Sequence, residues 1–328
     1  MLKPEDLDAR RERRRQEIYL RRRKKSHPEE FVTPVPEPPL RTPEPEPEIV
    51  KWVLPDSTID EPDLVESGGR YKNIVIEKGL CSVIILTHER VTQLKGAIKS
   101  FYDNTKLPLE LIVLEAGSSP EIQRSIYDIV LSTRWWHRRQ IIFSIENPHS
   151  NAMINKGYAA ARGEHVFISN DDVTVMSPYW AERMIAHSQK LKDVGIIGAC
   201  GTGSYFKQVL PRGWDTEDHI GEYIEPDQIS GILNLIPRQT WKTIGSYDEH
   251  LSPRCGGDGD YCIRCRAKGL RLYSARDVYV RHDCFAQSAA WIGAFAYNKK
   301  KYGVNYINEV NGNKCVKVAK ELYDDQML

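Results

Sequence analysis

The sequence predicts an α/β fold in which helices cover both faces of a mainly parallel sheet, with a disordered extension at the N-terminus. Three observations predict it: short apolar runs rich in β-branched residues, stretches with helical spacing between these runs, and polar clusters directly after several of them. Strands that are apolar along their whole length are buried on both faces, which is typical of parallel sheets between two helix layers. The chain has 328 residues, 41% of them hydrophobic, which is enough for one sizeable core.

Five strands and three helices are predicted in order along the chain. The strands are the apolar runs at 81–87, 109–115, 140–145, 164–169 and 194–199. The helices occupy 91–102, 151–162 and 178–191. In the first helix, apolar residues from Val91 to Phe101 recur every three or four positions, as on one helix face. Pro178 suits the first turn of the third helix, because that position needs no backbone donor.

The N-terminal part of the chain differs in composition from the rest. Residues 1–25 carry a net charge of +6 and the remainder −5, so a basic arm precedes a mildly acidic body. For residues 10–25 we expect a short helix that either binds an anionic partner, such as a phosphate backbone or anionic lipid, or is a solvated, partner-binding segment. Residues 26–70 are rich in proline and glutamate and predict an extended linker. The globular domain is expected at 71–304, followed by a C-terminal tail at 305–328.

Several features restrict the class of protein. No apolar run approaches the ~18 residues that span a bilayer, so we expect no transmembrane segment. The N-terminus lacks the apolar core of a secretory signal, and seven cysteines, an odd number, favour reduced thiols in a cytoplasmic protein. Cys262 and Cys265, one helical turn apart, fit buried thiols better than zinc ligands. We expect Gly198–Gly203 to form a turn.

Polar residues follow three of the predicted strands. They are Thr87–Arg90 after the first strand, Glu115–Ser119 after the second and Asn170–Asp172 after the fourth. Ligands of such sheets bind at the carboxyl ends of the strands. Adjacent carboxylates repel each other unless a cation or hydrogen-bond donors compensate, and hard divalent cations prefer oxygen ligands. The sequence therefore suggests a cation site at Asp171 and Asp172, although an ordinary turn uses the same residue types.

Six segments resemble, in order, the motifs of a known family. They are SVIILTHERVTQLKGAIKS (82–100), LELIVLEAGSS (109–119), Asn155-Lys156-Gly157 leading into SNDD (169–172), the run from Gly231 to Glu249, GGDGDYCIRCRAKG (256–269) and Val280-Arg281-His282. From about Leu80 to His282 the chain resembles a family 2 glycosyltransferase with the GT-A fold. Four positions depart from the family pattern: Glu115 and Ala116 replace common aspartates, Ser169 replaces the usual first acid, and Gly257 replaces a glutamate.

The resemblance implies a role for each candidate site residue. It implies that the nucleotide-sugar is bound by Thr87, Glu89, Arg90, Glu115, Asn155 and Asp171. It implies that a divalent cation, manganese or magnesium, is held by Asp171, Asp172 and His282, with Asp171 preferred. It implies a general base at Asp258 or Asp260, with Asp258 as the candidate base and Asp260 bracing the site or the acceptor. As alternatives, Asp258 and Asp260 would only cap a helix, and His282 would be a packed strand-end histidine.

The resemblance also implies the reaction. The enzyme would be an inverting, metal-assisted transferase that moves a sugar from a nucleoside-diphosphate sugar to an acceptor hydroxyl. The acceptor would be a glycan, a protein or a modified nucleic acid. A degenerate family member that binds a sugar-nucleotide or a partner without catalysis is the alternative, because of the substitutions at Ala116, Ser169 and Gly257. A sugar nucleotidylyltransferase is disfavoured, because THERVTQL after the first strand is not a glycine-rich phosphate loop.

Overall fold

The computed structural model describes eight stretches of the chain: 63–66, 74–144, 150–202, 206–211, 213–251, 257–283, 298–304 and 312–324. The strands are β1 Asp63–Glu66, β2 Glu77–Thr87, β3 Leu109–Ala116, β4 Arg138–Ser144, β5 Gly163–Asn170, β6 Val173–Val175, β7 Val194–Gly201, β8 Tyr223–Ile224, β9 Leu233–Leu235 and β10 Arg271–His282. The helices are α1 Val91–Asp103, α2 Pro120–Ser132, α3 Ser150–Ala160, α4 Trp180–Lys190, α5 Arg238–Ile244, α6 Gly257–Ala267 and α7 Gly312–Asp324. A further helical stretch covers 298–302. The predicted basic arm and most of the linker lie outside the described residues.

One mixed sheet forms the centre of the fold. Its strand order is β1-β4-β3-β2-β5-β9-β7-β10-β6, and β8 pairs with β10 beside this path. The strands β1, β4, β3, β2 and β5 are mutually parallel, as are β7 and β10. The short strand β9 runs antiparallel between β5 and β7, so β7 and β10 point the same way as β5. The predicted α/β fold with a mainly parallel sheet is therefore confirmed.

Helices pack on both faces of the sheet, as the apolar strands predict. β3 is buried at every position. On one face, α1 and α4 bury Leu94 and Trp180 in a cluster with the strands. On the other, α3 and α6 bury Met153 and Tyr261 in a second cluster. Each such side chain stabilises the fold by roughly 1.5–3 kcal/mol through removal of apolar surface from water.

The predicted elements agree closely with the observed ones, with one exception. The predicted strands and helices lie within a few residues of β2, β3, β4, β5, β7, α1, α3 and α4. The expected turn at Gly198–Gly203 is wrong, because β7 continues through Gly201. The reason for glycine there is close packing. A Cβ on Gly198 would lie 2.5 Å from the Ile229 side chain and 2.8 Å from Nε2 of Gln208.

The C-terminal residues continue the folded body. Helix α7, within the stretch expected to be a tail, packs on α6. Cys315 and Ala319 are buried in one apolar cluster with Ile263 and Tyr302. None of the helices in the described stretches combines the length and apolar character that crossing a membrane requires.

The sheet topology gathers the candidate site at one edge. The C-terminal ends of β2, β3 and β5 are adjacent, since Thr87 pairs with Glu115 and Leu86 with Asn170. After β5 the chain turns at once into β6, which runs antiparallel to β10 and pairs Val173 with His282. Because β6 pairs with β10, this short connection brings the end of β10 to the exit of β5.

Candidate functional site

The acidic turn, Asp171 and Asp172, lies between β5 and β6. Both residues are buried, with exposed fractions of 4% and 8%. The turn is short because β6 begins at residue 173, directly after the two acids. Two carboxylates buried this close together require positive charge or hydrogen-bond donors nearby. Neighbouring elements of the sheet edge supply both.

Asp171 is held by the end of β2 and the residue before α1. Thr87 Oγ1 donates a hydrogen bond of 2.8 Å to Asp171 Oδ2, and Arg90 Nη1 lies 3.4 Å from Asp171 Oδ1. Burial raises the pKa of Asp171 to about 6, although the hydrogen bond from Thr87 and the positive charge of Arg90 oppose the rise. An additional cation beside this buried carboxylate would favour its ionised form and lower its pKa.

Asp172 is held from two sides. Arg90 Nη1 donates a hydrogen bond of 2.7 Å to Oδ2, while Nε2 of His282 lies 3.1 Å from Oδ1. Burial alone would raise the pKa of Asp172, but the contacts with His282 and Arg90 together lower it. The backbone also joins the two strands here, since Asp283 N donates to Asp172 O at 3.1 Å. Asp172 is therefore the more strongly ionised member of the acidic turn.

Asp172 and His282 have the spacing of two adjacent ligands on one divalent cation. Bonds of about 2.1 Å at right angles separate two ligand atoms by about 3.0 Å, close to the 3.1 Å between Asp172 Oδ1 and His282 Nε2. Within the described residues, Nδ1 of His282 is buried without a hydrogen-bond partner, while Oδ1 of Asp172 has Nε2 of His282 as its contact. In the same stretches, no three acidic, His or Cys side chains form a group that could hold a metal ion. If a cation binds here, Asp172 and His282 would supply two of its ligands, and substrate oxygens or water would supply the others.

The exits of β2 and β3 are locked together by Glu89 and Ser118. Glu89 adopts a left-handed backbone conformation with φ of 59°, which is uncommon outside glycine. Its N–H donates to Ser118 Oγ at 2.9 Å, and its Oε1 accepts from Ser119 N at 2.6 Å. Glu115 accepts from Ser118 N at 2.6 Å and from Gln123 Nε2 at 2.9 Å. Both carboxylates therefore shape the loops that border the acidic turn.

Asp258 lies in the first turn of α6, and two backbone amides bind its carboxylate. Gly231 N donates to Oδ2 at 3.0 Å and Gly259 N to Oδ1 at 2.9 Å. Burial raises the pKa of Asp258, and these amide bonds only partly oppose the rise. A carboxylate with a raised pKa is a better proton acceptor near neutral pH.

The backbone of Gly231 connects Asp258 to Asn170, the residue directly before the acidic turn. Asn170 Nδ2 donates to the Gly231 carbonyl at 3.1 Å, while the Gly231 N–H binds Asp258. Beside it, Ser169 Oγ donates to Ile232 O at 2.8 Å. Ser169, where the family has an acid, is thus used to fix this segment. This link is invisible in the sequence, because a backbone donor carries no residue-type signal.

The α6 brace is a buried network of Asp260, Arg264, Lys301 and Tyr302. Asp260 has no exposed surface. Its carboxylate accepts from Arg264 Nε at 2.8 Å, from Lys301 Nζ at 2.8 Å and from Tyr302 Oη at 2.5 Å. These donors tie α6 to the helical stretch at 298–302. The geometry gives Asp260 a bracing position and leaves Asp258 as the carboxylate beside the acidic turn.

Asn155 holds a loop instead of facing the acidic turn. Its Nδ2 donates to Tyr247 O at 2.9 Å, and its Oδ1 accepts from Tyr247 N at 2.8 Å. One helical turn earlier, Asn151 Nδ2 donates to Asp248 O at 2.8 Å. A Cβ on Gly257 would lie 2.2 Å from Asn151 Oδ1, so the family's glutamate at that position would not fit against α3.

Comparison with known proteins finds a family model that matches part of this region. The family model described as glycosyl transferase family 2 matches residues 82–240. The match ends before Asp258 and His282. The O-antigen biosynthesis protein RfbC of Myxococcus xanthus is 20% identical over 254 residues, which are 66% of this chain and 19% of that protein. The chain spans about a fifth of the length of the curated relatives it matches.

Two solved structures have a similar fold. The crystal structure of GalNAc-T7 with UDP, GalNAc and Mn²⁺ aligns with a TM-score of 0.55 at 15% identity, covering 78% of this chain and 57% of that one. The mannosyltransferase PcManGT from Pyrobaculum calidifontis, in complex with GDP-Man and Mn²⁺, aligns with a TM-score of 0.53 at 13% identity, covering 75% and 74%. At these identities the similarity concerns the fold, which is of the GT-A type.

Proposed function

We propose that the chain, whose residues 82–240 match the family model described as glycosyl transferase family 2, transfers a sugar from a nucleoside-diphosphate sugar to an acceptor hydroxyl. One observation carries the proposal. The acidic turn lies among Thr87, Arg90 and His282 at the carboxyl edge of the sheet, and the Gly231 peptide links it to a carboxylate with a raised pKa. A donor site and a proton acceptor are thereby held in one rigid frame.

The donor diphosphate would bind at the acidic turn with a divalent cation, manganese or magnesium. Asp172 and His282 would hold the cation, because their ligand atoms have the required separation. When bound, the cation neutralises negative charge on the departing nucleoside diphosphate. Asp171 would act beside it, positioned by Thr87. The solved relatives were crystallised with UDP or GDP-Man and Mn²⁺, which supports this chemistry.

The nucleoside end of the donor would lie against the joined exits of β2 and β3. Thr87, Glu89 and Glu115 are the residues there, and the left-handed Glu89 fixes the path of the loop. The carboxylates of Glu89 and Glu115 already accept backbone amides. We therefore propose that Glu89 and Glu115 shape the nucleoside pocket by fixing its loops, instead of contacting the nucleoside directly. Asn155 supports the neighbouring 247–251 loop.

Asp258 would be the general base. The acceptor oxygen attacks the anomeric carbon, the bond from that carbon to the phosphate oxygen breaks, and the hydroxyl proton passes to Asp258. The leaving group is the nucleoside diphosphate. Direct attack inverts the anomeric configuration. The raised pKa of Asp258 favours this proton transfer near pH 7, and Asp260 keeps α6 in position.

Donor turnover tests the proposal. A panel of nucleotide-sugars is first screened with the full chain by thermal shift with and without Mn²⁺, because a ligand that binds the folded state raises its apparent stability. Release of nucleoside diphosphate from the stabilising donor is then measured for wild type and Asp258→Asn. We expect Mn²⁺-dependent release that falls by a factor of at least about 100 in the variant. Donor binding without release in wild type would instead support a non-catalytic sugar-nucleotide binder, and no binding at all would contradict both functions.

A further inference from the structure

Arg90 is the positive charge that the protein itself provides to the acidic turn. Its Nη1 donates to Asp172 Oδ2 at 2.7 Å and lies 3.4 Å from Asp171 Oδ1. The Arg90 side chain is 27% exposed, whereas both acids are almost completely covered. The guanidinium therefore lies between the acidic turn and solvent, next to the start of α1.

Arg90 and His282 use different oxygens of the same carboxylate. Arg90 binds Oδ2 of Asp172, while the cation position between Asp172 and His282 involves Oδ1. A metal ion therefore does not have to displace Arg90 to bind. The two positive charges would be present together, on opposite sides of Asp172.

The charge count at the site follows from this arrangement. Counting only the acidic turn and Arg90, the charges sum to −1, and a divalent cation brings this sum to +1. Without Arg90 the same site with its cation would be neutral. The remaining positive charge attracts the negatively charged diphosphate. Without the donor, Arg90 and the divalent ion lie close together and repel each other.

We infer that Arg90 makes metal binding conditional on the nucleoside diphosphate, by weakening the affinity for the cation alone and strengthening the affinity for the diphosphate. The inference rests on the proposed function and adds an order to it: donor and cation enter together. Repulsion between the Arg90 guanidinium and a divalent ion roughly 5–6 Å away weakens the affinity of the protein for that ion by about tenfold, even at the dielectric constant of bulk water. Diphosphate oxygens that contact both cations remove this penalty.

Manganese titration of Arg90→Gln tests the inference. Free Mn²⁺ is followed by electron paramagnetic resonance at low ionic strength, with and without UDP or GDP, for the full chain. We expect the variant to bind Mn²⁺ alone about tenfold more tightly than wild type, and the enhancement of Mn²⁺ affinity by the nucleotide to fall by about tenfold. Arg90→Lys, which keeps the charge, should resemble wild type.

Lys95→Gln is the matched control. Lys95 is an exposed residue of α1, so its substitution removes the same charge from the same helix region without touching the acidic turn, and it should leave both affinities unchanged. Mn²⁺ binding by Arg90→Gln that is equal to or weaker than that of wild type would overturn the inference. If Arg90→Gln does not fold, Arg90→Met takes its place in the same titration, with the same expected and contradicting results. Wild type that binds neither Mn²⁺ nor nucleotide would instead contradict the proposed function.

Discussion

Replacing Asp260 with asparagine should destabilise the protein far more than replacing Asp258. The Asp260 carboxylate is completely buried and accepts from Arg264, Lys301 and Tyr302 at 2.5–2.8 Å. Asparagine keeps the volume but leaves buried Arg264 and Lys301 without their counter-charge, although Lys301 retains Asp248. Removing one partner of a buried ion pair costs about 3–5 kcal/mol. This is a large part of the roughly 5–15 kcal/mol that stabilises a typical domain.

Urea unfolding at pH 7, followed by tryptophan fluorescence, measures the effect. Asp258→Asn should cost no more than about 1–2 kcal/mol, because asparagine loses one of the two backbone amide bonds but also removes a charge that burial disfavours. Glu225→Gln is the control for an exposed pair. Its bond with Arg271 should contribute no more than about 1 kcal/mol. An Asp260→Asn variant within 1 kcal/mol of wild type would refute the bracing role.

Two further predictions concern Asp171 and the glycines. Burial raises the pKa of Asp171 from 3.8 to about 6, so its ionised form costs stability above pH 6, and this cost is lost as the pH falls towards 4. In EDTA, the stability advantage of Asp171→Asn over wild type should therefore shrink by about 2 kcal/mol between pH 7 and pH 4.5, and a constant difference would contradict the raised pKa. Gly257→Ala should destabilise by about 1–3 kcal/mol, because its Cβ would lie 2.2 Å from Asn151 Oδ1. Gly96→Ala, in open space on α1, should stabilise by roughly 0.5–1 kcal/mol, and equal effects of the two substitutions would count against the packing explanation.

The regular part of the fold could be predicted because it follows from local patterns. The apolar strands and the helical spacing of α1 are set by neighbours in sequence, and so is the position of polar residues at strand ends. The acidic turn and its proximity to Thr87 follow from the parallel arrangement of β2 and β5. The order of the strands is therefore enough to predict the positions of these site residues.

The exact roles of side chains could not be predicted, because they depend on distant partners. Asp260 and Lys301 are 41 positions apart, so their ion pair is invisible in sequence. Asn155 has the residue type of a ligand-binding side chain but is bound to the backbone of Tyr247, 92 positions away. Likewise, the contact of Asp172 with His282, on which its proposed role as cation ligand rests, depends on the pairing of β6 with β10, and β6 is only three residues long.

In the proposed function, the donor diphosphate and a divalent cation bind together at the acidic turn. Calorimetric titration of the stabilising nucleotide into wild type and Asp172→Asn, each with and without Mn²⁺, distinguishes joint binding from independent binding. We predict that Mn²⁺ strengthens nucleotide binding to wild type by at least about tenfold, since loss of such a ligand removes roughly 1.4 kcal/mol or more of binding free energy, and that Asp172→Asn loses this enhancement while remaining folded. A folded Asp172→Asn variant with the full Mn²⁺ enhancement would contradict the account.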